Sequence, residues 1–124
     1  MNQVRMFEKT LIVLPARNEE AHIRKVLSQL VEMFPEASIL VINDNSSDRT
    51  SEIVRQFRSV MLIELPFWMG YGGALQTGYK FALSNGYKSV VQMDADGQHD
   101  PSEVCKLLQS SGEGDIIIGS RFKD

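Results

Sequence analysis

Residues 10–35 read TLIVLPARNEEAHIRKVLSQLVEMFP. The opening TLIVL is a short apolar, β-rich run stopped by Pro15, the pattern of a strand buried on both faces of a parallel sheet. After the polar turn PARNEE, apolar side chains recur at Ile23, Val26, Leu27, Leu30, Val31 and Phe34, a helical stripe ended by Pro35. Within the turn, Asn18 is expected as the helix cap, with Glu19 and Glu20 favourable in the first helical turn. One strand, one turn and one helix make a β-α unit.

Working outward, the unit repeats. Residues 38–42 read as a second strand, 43–48 as a polar turn, and Ile53, Val54 and Phe57 as the apolar side of a second helix. A third strand over 60–65 leads through a Pro, Trp and Gly loop to a helix from about Gly73 to Ser84, broken by Asn85-Gly86. Residues 89–93 form a fourth strand, Asp100-Pro101-Ser102-Glu103 opens a helix with a cap, an N1 proline and a capping-box glutamate, and 115–119 form a fifth strand. This alternation predicts an α/β fold, an open, mostly parallel sheet of about five strands with flanking helices. In such sheets ligands bind outside the carboxyl ends of the strands, so the informative segments are PARNEE, NDNSSD, PFWMGYGG, DADGQHD and SRF.

Composition sets the outer limits. The 124 residues are 43% hydrophobic and 23% charged, as for one globular domain, and carry a net charge of −3, which offers no positive field for a nucleic-acid backbone. No apolar run approaches the ~20 residues of a membrane span, and residues 1–9 lack the apolar core of a signal peptide. Cys105 is the single cysteine, so no internal disulfide forms, in keeping with a reducing, cytoplasmic setting.

The chemistry concentrates after the fourth strand. In Met93-Asp94-Ala95-Asp96-Gly97-Gln98-His99 two aspartates stand at i and i+2, a spacing that can turn both carboxylates to one side. Two carboxylates held together repel unless a cation lies between them. Mg²⁺ or Mn²⁺ prefers such oxygens and keeps water or phosphate in its other positions, and Gln98 adds a carbonyl oxygen. The same two aspartates also suit a role as turn caps. After strand two, Asp44 can accept hydrogen bonds from a base or ribose, while Asp48 and Thr50 serve equally as a helix start. Glu19 and the backbone at Pro15 can read a base edge or a sugar hydroxyl. Gly70-Tyr71-Gly72-Gly73 has the look of a phosphate cradle, but the third glycine of a dinucleotide pattern falls on Leu75, so it reads as a tight loop. Phe67, Trp68 and Met69 read as packing residues, His22 as a surface residue, and His99 as exposed beside the acidic pair.

In this order, LIVLPARNEEAHI, VINDNSSDRTSEIV, GYGGALQTGYKFAL, MDADGQHDP and IIIGSRF resemble the family-2 inverting glycosyltransferases of the A-type fold, and within them the dolichyl- or polyprenyl-phosphate mannosyl- and glucosyltransferases. The resemblance spans residues 11–122. It implies a nucleotide-sugar donor, UDP- or GDP-linked, held by Pro15, Arg17, Glu19, Asp44, Asp94, Ala95 and Arg121, with Mg²⁺ or Mn²⁺ on Asp94, Asp96 and Gln98. It also implies a polyprenyl or dolichyl phosphate acceptor, and from this a place at the cytoplasmic face of a membrane. Where the family commonly has two aspartates after strand two, Asn43 holds the first position. Members continue for roughly a hundred residues more, so the chain is expected to be the donor-binding part of one domain, with the general base beyond it. Two other functions are compatible with a chain of this size and plan: a non-catalytic nucleotide-binding fragment, and a phospho-acceptor receiver. A receiver needs acidic residues after strand one, an aspartate after strand three and a lysine after strand five. Pro15-Ala16-Arg17, Pro66-Phe67-Trp68 and Ser120-Arg121 stand there instead.

Overall fold

The computed structural model describes residues 9–97 and, as backbone, 116–118. Among these the elements run β1 (Thr10–Ala16), α1 (Ile23–Met33), β2 (Ser38–Asn43), α2 (Thr50–Val54), β3 (Val60–Glu64), α3 (Gly70–Ser84), β4 (Ser89–Gln92) and β5 (Ile116–Ile118). The strands form one parallel sheet in the order β3-β2-β1-β4-β5. The expected helix from Asp100, with Cys105 and His99, lies outside the described residues.

Every residue of β1 is buried, because alternate side chains enter two different cores. Ile12, Leu14 and Ala16 pack with Ile39, Val41 and Val91 beneath α1, whose Ile23, Val26, Leu27 and Leu30 face them. Leu11 and Val13 pack with Leu40, Ile42 and Val90 beneath α3. The chain winds outward from β1 to β3 on the first face, then returns through α3 on the second face to β4, on the other side of β1. The strand order therefore reverses between β1 and β4.

The end of β1 and the start of α3 differ from expectation. Pro15 does not stop β1, which pairs with β2 through Pro15↔Ile42 and Ala16↔Asn43. The N–H of Asp44 reaches the carbonyl of Ala16 on the β2 side, and that of Met93 reaches Val13 on the β4 side. By alternation the missing N–H of Pro15 faces β4, where pairing ends at Val13↔Gln92, so no ladder bond is lost. The glycine loop is likewise not a loop: α3 begins at Gly70, whose φ of +83° favours glycine, and Gly72 and Gly73 are helical. Farther along α3, a Cβ on Gly78 would stand 2.6 Å from Val13 Cγ1, so this glycine sets how closely α3 lies on β1.

Candidate functional site

Beyond Val13 the strands β1 and β4 part, and a cleft of about 280 Å³ opens at their carboxyl ends. The end of β1 contributes Pro15, Ala16, Arg17 and Glu19, the end of β2 Asp44, and the end of β4 Asp94, Ala95 and Asp96. Seven residues singled out from the sequence, namely Pro15, Arg17, Glu19, Asp44, Asp94, Ala95 and Asp96, thus line one space. Gln98 and Arg121 lie outside the described residues.

The first two turns are stapled to each other, which fixes this rim. Asn18 is in the left-handed region at φ 55°, donates its N–H to Ser46 Oγ at 2.9 Å and accepts from the Ser47 N–H at 2.8 Å. It is therefore not a helix cap. Helix α1 starts only at Ile23, and no acidic residue lies in its first turn. The Glu19 N–H donates to Thr50 Oγ1 at 2.9 Å, and Glu20 Oε1 accepts from the Arg49 N–H at 2.9 Å. Asp48 accepts from the Glu20 N–H at 3.1 Å and the Thr50 N–H at 3.0 Å, so it joins the loops as well as starting α2. Burial pushes the Asp48 carboxyl up, but the Thr50 and Glu20 hydrogen bonds outweigh it and hold its pKa below the ordinary value.

Asn43 accepts from the Ser46 N–H and hydroxyl and donates Nδ2–H to Glu64 Oε1 at 2.8 Å. Glu64 also accepts from Ser51 and pairs with Arg55. Burial raises the Glu64 carboxyl, and the Ser51 and Asn43 bonds with the Arg55 charge overcome this and lower it. A carboxylate at position 43 would face Glu64, which accounts for asparagine at this place.

Asp44, 4% exposed, accepts the Met69 N–H at 2.7 Å and so anchors the start of α3 to β2 while it lines the cleft. Asp94, 9% exposed, accepts from the Tyr71 hydroxyl at 2.8 Å. Asp94 and Asp96, both lining the cleft at the end of β4, offer hard oxygen ligands to a divalent cation. Among the described residues no three acidic, His or Cys side chains gather into a closed ion site, so water or a ligand's phosphates would complete the shell.

The β3–α3 segment lies on the rim as expected, but the side chains it contributes there were not foreseen. Trp68, Tyr71 and Ala74 line the cleft, and Trp68 is 61% exposed rather than packed in the core, as are Phe67 and Met69 in large part. The Arg17 guanidinium sits 5.4 Å from the Trp68 ring centroid, a cation–π contact between two walls. An aromatic residue in a Gly-rich turn at a strand's carboxyl end was the available signal for Tyr71. His22 is exposed, as expected, with Nδ1 3.1 Å from Glu19 Oε1.

With this geometry in hand, comparison with known proteins is direct. A family model described as glycosyl transferase family 2 matches residues 11–124. The chain is 33% identical over 117 residues to an undecaprenyl-phosphate mannosyltransferase of Micrococcus luteus, covering 91% of this chain and 48% of that protein. It is 32% identical over 125 residues to a polyprenol monophosphomannose synthase of Mycolicibacterium smegmatis, covering 96% and 47%. The fold aligns with a crystal structure of glucosyl-3-phosphoglycerate synthase from Mycobacterium tuberculosis, solved with Mn²⁺, UDP-glucose and phosphoglyceric acid. Its TM-score is 0.63 at 27% identity, over 86% of this chain and 40% of that one. The parallel α/β sheet with flanking helices is thus the A-type glycosyltransferase fold. The chain spans about half the length of the curated relatives it matches. Matched from the first strand to its last residue, the chain belongs to glycosyl transferase family 2.

Proposed function

We propose that this chain is the donor-binding part of a glycosyltransferase that moves a sugar, with inversion, from a UDP- or GDP-sugar to a polyprenyl or dolichyl phosphate. The observation that carries this reading is the meeting of Asp94 and Asp96 with Asp44 and Glu19 in one cleft, at the point where strand order reverses. Asp44, Glu19 and the backbone at Pro15 receive the base and ribose. Arg17 and Trp68 bound the cleft beside them, and Ala95 adds backbone without bulk next to the diphosphate. Asp94 and Asp96, with Gln98, hold Mg²⁺ or Mn²⁺, and Arg121 contacts a phosphate. The bound ion supplies Lewis-acid stabilisation of charge on the leaving diphosphate.

In the transfer the acceptor oxygen bonds to the anomeric carbon as the bond from that carbon to the diphosphate oxygen breaks. The protein need supply no nucleophile, and an already ionised lipid phosphate needs no general base. The acceptor class is supported by the named activities of the Micrococcus and Mycolicibacterium relatives. No helix among the described residues is long and apolar enough to cross a membrane. A peripheral position at a cytoplasmic membrane face agrees with such an acceptor.

Calorimetric titration with UDP and GDP tests the reading. One nucleotide should bind at least about 10-fold more tightly with Mn²⁺, and Asp96→Ala should erase that gain. Binding indifferent to both metal and substitution would overturn it. A second reading, nucleotide binding without catalysis by the chain alone, is favoured by its covering about half of its relatives. Sugar transfer by the isolated chain would eliminate it.

A further inference from the structure

A line of hydrogen bonds runs from α3 across β4 to the cleft. The Tyr79 hydroxyl donates to Gln92 Oε1 at 3.0 Å, Gln92 Nε2 donates to the Tyr71 hydroxyl oxygen at 2.6 Å, and that hydroxyl donates to Asp94 Oδ1 at 2.8 Å. The polarity of this line is self-consistent. Turning the Gln92 amide over would make Tyr71 donate to Gln92, and the Tyr71 oxygen would then face the Asp94 carboxylate lone pair to lone pair. The observed direction gives each hydroxyl and amide group along the line a matching partner. Gln92 is buried, and a buried amide left unpaired is costly, so the line holds itself in place.

We propose that Tyr71, Gln92 and Tyr79 are positioning residues that fix the orientation of the Asp94 carboxylate for a divalent ion. This rests on the reading of Asp94 as an ion-binding residue. Partners behind a ligating group fix its geometry and affinity much as the ligand itself does. The line reaches Asp94 from the α3 side of the sheet, so it ties the ion-binding carboxylate to the helix that packs on Val13 through Gly78.

The test measures Mn²⁺ binding to the full chain by electron paramagnetic resonance of free Mn²⁺ in the presence of UDP, alongside UDP affinity without metal and thermal unfolding. Tyr71→Phe should weaken Mn²⁺ binding about 10-fold. Tyr79→Phe, two links away, should weaken it about 2-fold to 3-fold, and the double variant should match Tyr71→Phe alone, since the line is already cut. Metal-free UDP affinity should stay at the parental value in Tyr79→Phe, whose side chain does not line the cleft. Parental Mn²⁺ affinity in both tyrosine variants, with loss in Asp94→Ala, would overturn the positioning role and leave the donor-site reading standing. Parental Mn²⁺ affinity in Asp94→Ala would overturn both. An equal loss of metal-free UDP binding in Tyr79→Phe would show general loosening and also overturn it. If Tyr71→Phe unfolds, Tyr79→Phe decides, because its hydroxyl touches neither Asp94 nor the cleft.

Discussion

Replacing Asn43 with aspartate should destabilise this chain, and its surroundings set the size of the effect. The Asn43 side chain is 3% exposed, and its Nδ2 lies 2.8 Å from Glu64 Oε1. An aspartate keeps the two bonds from Ser46 but turns that donation into a contact between carboxylates. At this spacing two unit charges repel by about 6 kcal/mol at an effective dielectric of 20. The Glu64 side chain is 40% exposed and paired with Arg55, and the Ser46 bonds strengthen toward a charged acceptor, so most of that is offset. About 2 kcal/mol remains, comparable with the loss of one hydrogen bond to a charged group. In urea denaturation at pH 7, Asn43→Asp should lower the unfolding free energy by about this amount. The double variant Asn43→Asp/Glu64→Gln should recover at least half, because the new amide can donate in the reverse direction. Equal stability of Asn43→Asp and the parent, or no recovery in the double variant, would refute the reasoning.

Two further outcomes follow from the same structure. Glu64 and Asp48 are both held below their ordinary values of 4.5 and 3.8, so the unfolded chain binds these protons more readily than the folded one. Their contribution to stability is complete above about pH 4.5 and is lost as pH falls through the depressed folded values. Glu64→Gln should therefore flatten the acid limb of the stability curve, and an unchanged slope between pH 5 and pH 3 would contradict this. Gly78→Ala places a Cβ 2.6 Å from Val13 Cγ1. The overpacking should outweigh the ~1 kcal/mol gain in helix propensity and leave a net loss of about 1 kcal/mol. Thermal unfolding should show a lower midpoint, and with Val13→Ala the combined loss should be smaller than the sum of the two single losses, whereas a raised midpoint for Gly78→Ala would contradict it.

The alternating plan was legible because each strand here is a short apolar run and α1 carries its stripe at helical spacing. The Ile23 to Phe34 stripe maps onto the residues that α1 and its end bury. What periodicity does not carry is direction at the rim. Pro15 reads as a stop, yet its missing N–H faces the β4 side, where pairing with β1 has already ended at Val13. Asn18 reads as a cap, yet its carboxamide is taken by the second turn, 29 residues away, a contact no local pattern encodes. Glycines at 70, 72 and 73 lower helix propensity, yet Asp44 fixes the start of α3 through Met69 and the helix forms there. This also hid Tyr71 and Trp68, whose side chains the early helix start places on the cleft. The aspartates at 44, 94 and 96 were legible because they stand at strand ends, where topology alone brings them together.

The central claim is that Asp94 and Asp96 grip a donor's diphosphate through a shared divalent ion. Its most direct test is a crystal structure of the chain with Mn²⁺ and UDP, using the manganese anomalous signal to locate the ion. One peak should touch both carboxylates and the UDP phosphates, with the uridine lying toward Asp44 and Glu19. Manganese bound elsewhere, or UDP held in the cleft with no ion between it and these aspartates, would contradict it.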